Sequence, residues 1–174
     1  MKTRLFFIVC SVLLISLLLT TVASAGEPVT QRVIVGGPDV CAAFGESPGC
    51  DKNFSLVAIK HADGSVSGKW TDQWGGGYGG FHAEIDCLAI EGNDAWVSGV
   101  VTKGIFHDLE TGEDLDLAGL AVGTRIRDNG ISAKDPADQI SFSFFELQAS
   151  FQVCTEQPAY PLFDAPQGQS VVVD

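Results

Sequence analysis

Basic side chains are scarce in this chain. Ten lysines and arginines stand against 22 aspartates and glutamates, a net charge of −12 over 174 residues. A surface of that sign repels nucleic acid and anionic lipid, so neither is expected as a partner. Helical periodicity is missing as well: no stretch of ten or more residues carries a good apolar stripe at helical spacing, which argues against a helical fold. No Cys-x-x-C pair occurs, which removes zinc ribbons and thioredoxin-like redox sites. There is no Gly-x-Ser-x-Gly, and the glycine run at 75–80 lacks the Lys-Ser/Thr and the helix of a phosphate loop. After residue 25 no apolar run approaches the roughly 20 residues that a bilayer span needs.

What is present begins with an export signature. Lys2 and Arg4 form a basic start, residues 5–19 are almost wholly apolar, and Ala23-Ser24-Ala25 has the small-x-small spacing of a signal peptidase site. Cys10 lies in the middle of the apolar run, where a lipid-attachment cysteine does not belong. Residues 1–25 are therefore expected to be a cleaved signal peptide. The product is secreted or held in an extracytoplasmic compartment such as a periplasm, with no membrane span in the mature chain. Cleavage leaves 149 residues with eight basic side chains and a net charge of −14. That length suits one β domain over 26–157, large enough for a real core, followed by a C-terminal tail over 158–174 with room for a short terminal strand.

Loss of the leader also makes the cysteine count even. Cys41, Cys50, Cys87 and Cys154 remain, and four cysteines allow three pairings. The intervening AAFGESPG contains Gly45, Pro48 and Gly49 and can fold back, which favours Cys41–Cys50 and leaves Cys87–Cys154. In the chain-entropy picture the short loop contributes about 2.7 kcal/mol and the long one about 4 kcal/mol.

The rest of the sequence reads as strands and turns built on one hairpin. Phe81, Ala83, Ile85, Cys87 and Ala89 alternate with His82, Glu84, Asp86, Leu88 and Ile90, the period of a half-buried strand. Gly92-Asn93 is a strong tight-turn signal, since both residues accept positive φ. Ala95, Val97, Gly99 and Val101 then alternate with Trp96, Ser98, Val100 and Thr102. Further strands are expected at 31–35, 54–61, 66–74, 120–127 and 140–145, with a last one at 149–154. Residues 104–118 read as an acidic connection. Regular turns between short strands imply an all-β fold. The expectation is a small closed β-barrel of about seven or eight strands with mostly meander connections, and a β-sandwich is the alternative.

Four segments carry a resemblance: GSVSGKW, CLAIEGNDAWVSGVV, RIRDNG and PADQISFSF. Together they resemble a group of small exported bacterial all-β proteins. That group shows a Cys-Leu-x-x-x-Gly-Asn-x-Ala-x-x-x-Gly hairpin, an Asp-Asn-Gly strand end and a Pro-x-Asp-x-Ile-Ser segment. The resemblance covers roughly residues 54–154. It implies the domain limits and the all-β fold, and it brings no activity with it.

Candidate chemistry is sparse. His82, Glu84 and Asp86 share a strand face and could serve as acid, base and ligand in a pocket. A solvent-facing polar side is the simpler reading. His82-Ala83-Glu84 lacks the Pro-Cys-x-x-Cys partner of zinc deaminases. Arg125 and Arg127 could hold a substrate carboxylate or form an ordinary ion pair. Trp70, Trp74, Tyr78 and Trp96 could stack on sugar rings or pack in the core. Asp108, Glu110, Glu113, Asp114 and Asp116 crowd nine residues around Gly112 and could bind calcium weakly, although the spacing is not that of an EF-hand. A solvated acidic turn is the plainer alternative. No other cofactor is implied.

The functional expectation is an exported, non-enzymatic module with a ligand-binding or envelope-associated structural role. Its partner would be an unidentified small molecule or protein. Two alternatives are an isomerase- or cyclase-like enzyme using a polar barrel interior, and a calcium-stabilised adhesive domain.

Overall fold

Alternating apolar side chains become strand over most of the chain, because a pleated backbone sends successive side chains to opposite faces and only one face need leave water. The computed structural model describes residues 28–37, 51–130, 135–146, 151–165 and 169–173. The segment expected to be a leader, and Cys41 and Cys50 with it, lie outside the described residues. The strands are β1 (Val29–Gly37), β2 (Asp51–His61), β3 (Val66–Trp74), β4 (Gly79–Glu91), β5 (Asp94–His107), β6 (Asp114–Asp116), β7 (Ala121–Arg127), β8 (Gln139–Ile140), β9 (Phe144–Glu146), β10 (Phe163–Asp164) and β11 (Gln169–Val173). One short helix, α1 (Phe151–Glu156), precedes β10.

The strands form a single antiparallel sheet in the order β10-β8-β7-β5-β4-β3-β2-β1-β11, with β6 and β9 pairing with β5 and β7. The sheet curls into a half-barrel. Its concave side holds the core, from Val33 and Val35 through Phe54, Leu56, Trp70, Phe81 and Val97 to Val122, Ile126 and Ile140. Phe145 on β9 closes over this side, its ring 5.3 Å from Phe81 and 6.0 Å from Trp74. The expected closed barrel differs from this arrangement: among the described residues no ladder joins β11 to β10 or β8. The two ends do approach at one rim, where the Val172 N–H donates to the Asp128 carboxylate at 3.1 Å.

Two bulges shape the central hairpin. Thr102 is an extra residue on β5, between the pairs His82–Lys103 and Ala83–Val101. Asp86 is an extra residue on β4, between Ile85–Gly99 and Cys87–Ser98. An extra residue reverses the side-chain alternation beyond it and sharpens the local bend. Unbroken alternation would keep Cys87 and Ala89 with Phe81, Ala83 and Ile85. The Asp86 bulge corrects that expectation. Leu88 is buried in the core and Ile90 packs against it, while Cys87 turns to the outer face.

There Cys87 lies at disulfide-bonding distance from Cys154 of α1, with Cα atoms 6.1 Å apart. The strand expected over 149–154 is thus a helix where it is described. Six residues are too few to hold a helix alone, and tertiary contacts supply what local propensity does not. Val153 sits over Gly123: a Cβ built there would come within 2.9 Å of the Val153 Cγ2. The indole N–H of Trp96 donates to the Pro158 carbonyl at 2.9 Å. Gln157, at φ 46°, ends the helix just before Pro158.

Two other segments depart from the expected pattern, while the tail does supply the short terminal strand it has room for, β11. The 104–118 connection is partly strand, since β5 runs on to His107 and β6 pairs with its end. The run expected over 140–145 is broken at Ser141, whose hydroxyl accepts the Arg125 N–H at 2.9 Å in place of a ladder carbonyl and meets Thr124 Oγ1 at 3.0 Å. The C-terminal segment contributes β10 and β11 to the sheet. The Asp-Asn-Gly and Pro-x-Asp segments meet each other: Asn129 N–H donates to Asp138 Oδ1 at 2.9 Å and Asn129 Nδ2 to the Ala137 carbonyl at 2.6 Å.

Two outcomes follow from this packing. Gly92 holds φ +59° in the two-residue turn between the paired Glu91 and Asp94. Gly92→Val should therefore cost about 1–3 kcal/mol through backbone strain. Gly92→Asn should cost much less. An unchanged melting temperature for the valine variant would mean that the turn is built otherwise. Non-reducing peptide mapping should return a Cys87–Cys154 linkage, and Cys87→Ala should lower stability by about 2–4 kcal/mol. A free thiol at either position would overturn the pairing.

Candidate functional site

The hairpin that carries the core also builds a groove on the opposite face. Phe81 points inward, so Gly80 and His82 face out, and the ladder lays residues from four strands side by side. Gln73 of β3 pairs with Gly80 of β4, Gly80 with Ile105 of β5, and Ile105 with Asp116 of β6. His82 pairs with Lys103 across the same hairpin. The result is an open groove of about 700 Å³ whose lining includes Gln73, Gly80, His82, Lys103, Asp114 and Asp116. Gly80 forms its floor for a steric reason. Its φ is +151°, and a Cβ there would lie 2.4 Å from the Asp72 carbonyl oxygen. Any side chain would both strain the backbone and press against the β3 main chain.

The walls carry opposite charges. Among the described residues no ion pair includes Lys103. Asp114 pairs with the His107 imidazole. Asp116 Oδ1 accepts the Ala118 N–H at 2.9 Å. Outside the groove lining, Tyr78 stacks on Phe106, which packs against the core, with ring centroids 6.2 Å apart and an interplanar angle of 16°. Tyr78 remains 42% exposed.

The residues singled out from sequence divide clearly. His82, Glu84 and Asp86 are exposed on the outer face of β4, pointing away from the core, and only His82 lines the groove. His82 Nδ1 lies 3.1 Å from the Thr71 hydroxyl. These three side chains line no interior. The five acidic residues of 108–116 are not brought together either. Asp108 Oδ1 accepts the N–H groups of Glu110 and Thr111 at 2.9 and 3.2 Å, and these bonds, Glu110 first, hold its carboxyl below the usual range. Glu110 and Glu113 are exposed. Among the described residues no three His, Cys, Asp or Glu side chains are placed to hold a metal ion.

The two arginines face the same acid. Arg127 donates from Nε and Nη2 to Asp94 at 2.9 and 2.8 Å, and Arg125 Nη2 donates to Asp94 at 3.2 Å. Arg125 also lies over the Trp96 ring at 5.4 Å. The ion-pair reading of these arginines is the one realised. Trp70 is buried and Trp96 nearly so, while Trp74 packs edge-on against Phe106 and Phe145, so the tryptophans serve packing. Tyr78 alone of that aromatic set presents an exposed ring.

Sequence reasoning did not assemble Gln73, Gly80, Lys103 and Ile105 into a site. The available signal was Gly79-Gly80 inside a strand pattern, which marks a close approach of backbone. The pairing of Lys103 with His82 depends on the Thr102 bulge, which has no comparable local signature. Comparison with family models, with curated proteins and with solved structures found no match.

The Asp94 cluster makes stability depend on acid. Burial pushes the Asp94 carboxyl up, but hydrogen bonds from Arg127 and Arg125 and their positive charge outweigh it, and the net shift is downward. A carboxyl held low in the folded state stabilises above its unfolded pKa, and that contribution is lost as pH falls through the lowered value. Thermal melts of the wild type should therefore decline as pH drops through and below about 3.9, the ordinary aspartate value. Asp94→Asn should be less stable at pH 7 and decline less in acid. Parallel declines for the two proteins would remove Asp94 as the cause.

Proposed function

We propose that the chain is an exported, non-enzymatic binding module that presents the outer groove of the β3–β6 surface to its ligand. One observation carries this reading: apolar side chains fill the concave side of the sheet, and His82, Glu84 and Asp86 stand outside it. A reaction in a polar interior would need those groups enclosed and shielded from water. A calcium-stabilised adhesive domain would need the 108–116 carboxylates to converge, and Asp108, Asp114 and Asp116 are engaged by local partners instead. The same reading takes the half-barrel to approach a closed small barrel in the exported protein, supported by the Val172–Asp128 bond at one rim. Export itself rests on the leader pattern and agrees with the Cys87–Cys154 pair, since disulfides persist in oxidising compartments.

Expression with the leader attached should release a product beginning at Gly26. A screen of small soluble molecules by amide chemical shifts should concentrate its hits on Gly80, Lys103, Ile105 and Asp116. Hits confined to other faces would remove the groove as the binding surface, and a retained leader would remove export.

A further inference from the structure

Given the groove as the binding surface, its charges narrow the ligand class. Among the described residues Lys103 is the one permanent cation in the lining, and no ion pair includes it. The lining aspartates differ in what engages them. Asp72 is buried and accepts the Ser143 hydroxyl at 3.1 Å, and Asp114 holds His107. Asp116 is exposed and gives Oδ1 to the Ala118 N–H, while among the described residues its Oδ2 has no partner.

The sheet fixes how Lys103 and Asp116 stand. Asp116 of β6 pairs with Ile105 of β5, and Lys103 lies two residues back along β5 on the same outer face. A two-residue step along a strand and one step between strands place the two Cα atoms about 8 Å apart. Between them stands Ile105, 43% exposed, with Gly80 opposite it on β4. The groove thus presents a cation, an anion and an apolar side chain around a glycine floor. A polyanion would meet Asp114 and Asp116, and an amine without a carboxylate would leave Lys103 facing a like charge. A metal ion finds no three converging ligands among the described residues. A purely apolar ligand finds little cover, because the floor is Gly80 and the groove is open. A zwitterion meets each charge with its opposite, and without net charge it is not repelled by the −12 of the chain. Both contacts are charge-assisted hydrogen bonds: Lys103 Nζ donates to a carboxylate, and an ammonium donates to Asp116. We infer that the groove binds a free aliphatic α-amino acid, with Lys103 on its carboxylate, Asp116 on its ammonium and Ile105 against its side chain.

The test titrates the isotope-labelled exported chain with leucine and with valine. Each is matched by the amine lacking its carboxylate and the acid lacking its amine: isoamylamine and isocaproate for leucine, isobutylamine and isovalerate for valine. Glucose and calcium chloride serve as further contrasting probes. At least one of the two amino acids should shift the amides of Gly80, Lys103, Ile105 and Asp116, and its single-charge analogues should bind about tenfold more weakly. Lys103→Met and Asp116→Asn should each weaken that amino acid about tenfold. Both positions are exposed, and asparagine keeps an oxygen for the Ala118 N–H, so the melting temperatures should stay close to that of the wild type. If only an amine, an acid, glucose or calcium shifts those amides, or if a single-charge analogue binds as well as its amino acid, the amino-acid assignment fails and the groove stands. If no probe shifts them, both fail. Amino-acid binding that maps elsewhere, or that is indifferent to either substitution in a folded variant, also overturns the assignment.

Discussion

The Asp86 bulge is the constraint on which most of the molecule depends. One extra residue on β4 moves Leu88 into the core and turns Cys87 outward. With Cys87 outside, Cys154 can reach it only from a segment lying over the outer face, and α1 is that segment. The helix then needs a gap beneath it, which Gly123 supplies for Val153. Trp96, on the same outer row, ties the following chain through Pro158. A strand in strict alternation would have buried Cys87 among the core side chains and left α1 without an anchor.

The second bulge, at Thr102, acts in the opposite sense because its extra residue is on β5. The pair of bulges bends the hairpin without displacing its turn, since Glu91 still faces Asp94. That bend helps the sheet curl around Trp70, Phe81 and Phe145 and sets Gly104 inward against the Phe81 Cβ. It also sets Lys103 opposite His82 on the outside, so the groove and the core curvature share one cause.

Charge is handled by local pairing rather than by a shared ion. Asp94 takes both arginines of β7, Asp114 takes His107, and Asp108 and Asp116 take backbone N–H groups. Each carboxylate gains hydrogen bonds that outlast screening better than exposed charge pairs do. Among the described residues, acid-rich loops are thereby ordered without gathering three carboxylates to one point.

Sequence by itself determined the features that rest on neighbouring residues. The all-β character follows from two-residue alternation. The central turn follows from Gly92, whose positive φ is a local backbone demand. The acidic surface is a matter of composition. Tertiary structure decided the rest, because bulges, partners and curvature depend on residues far apart in the chain. Alternation placed Cys87 with Ile85, and only pairing with Ser98 of β5 shows that Asp86 intervenes. Residues 151–156 carry a strand-like pattern and become helix because Gly123 and Cys87 await them on another strand. The outer groove has no motif at all: Gln73, Gly80, Lys103 and Asp116 belong to four strands, and the ladder alone makes them neighbours.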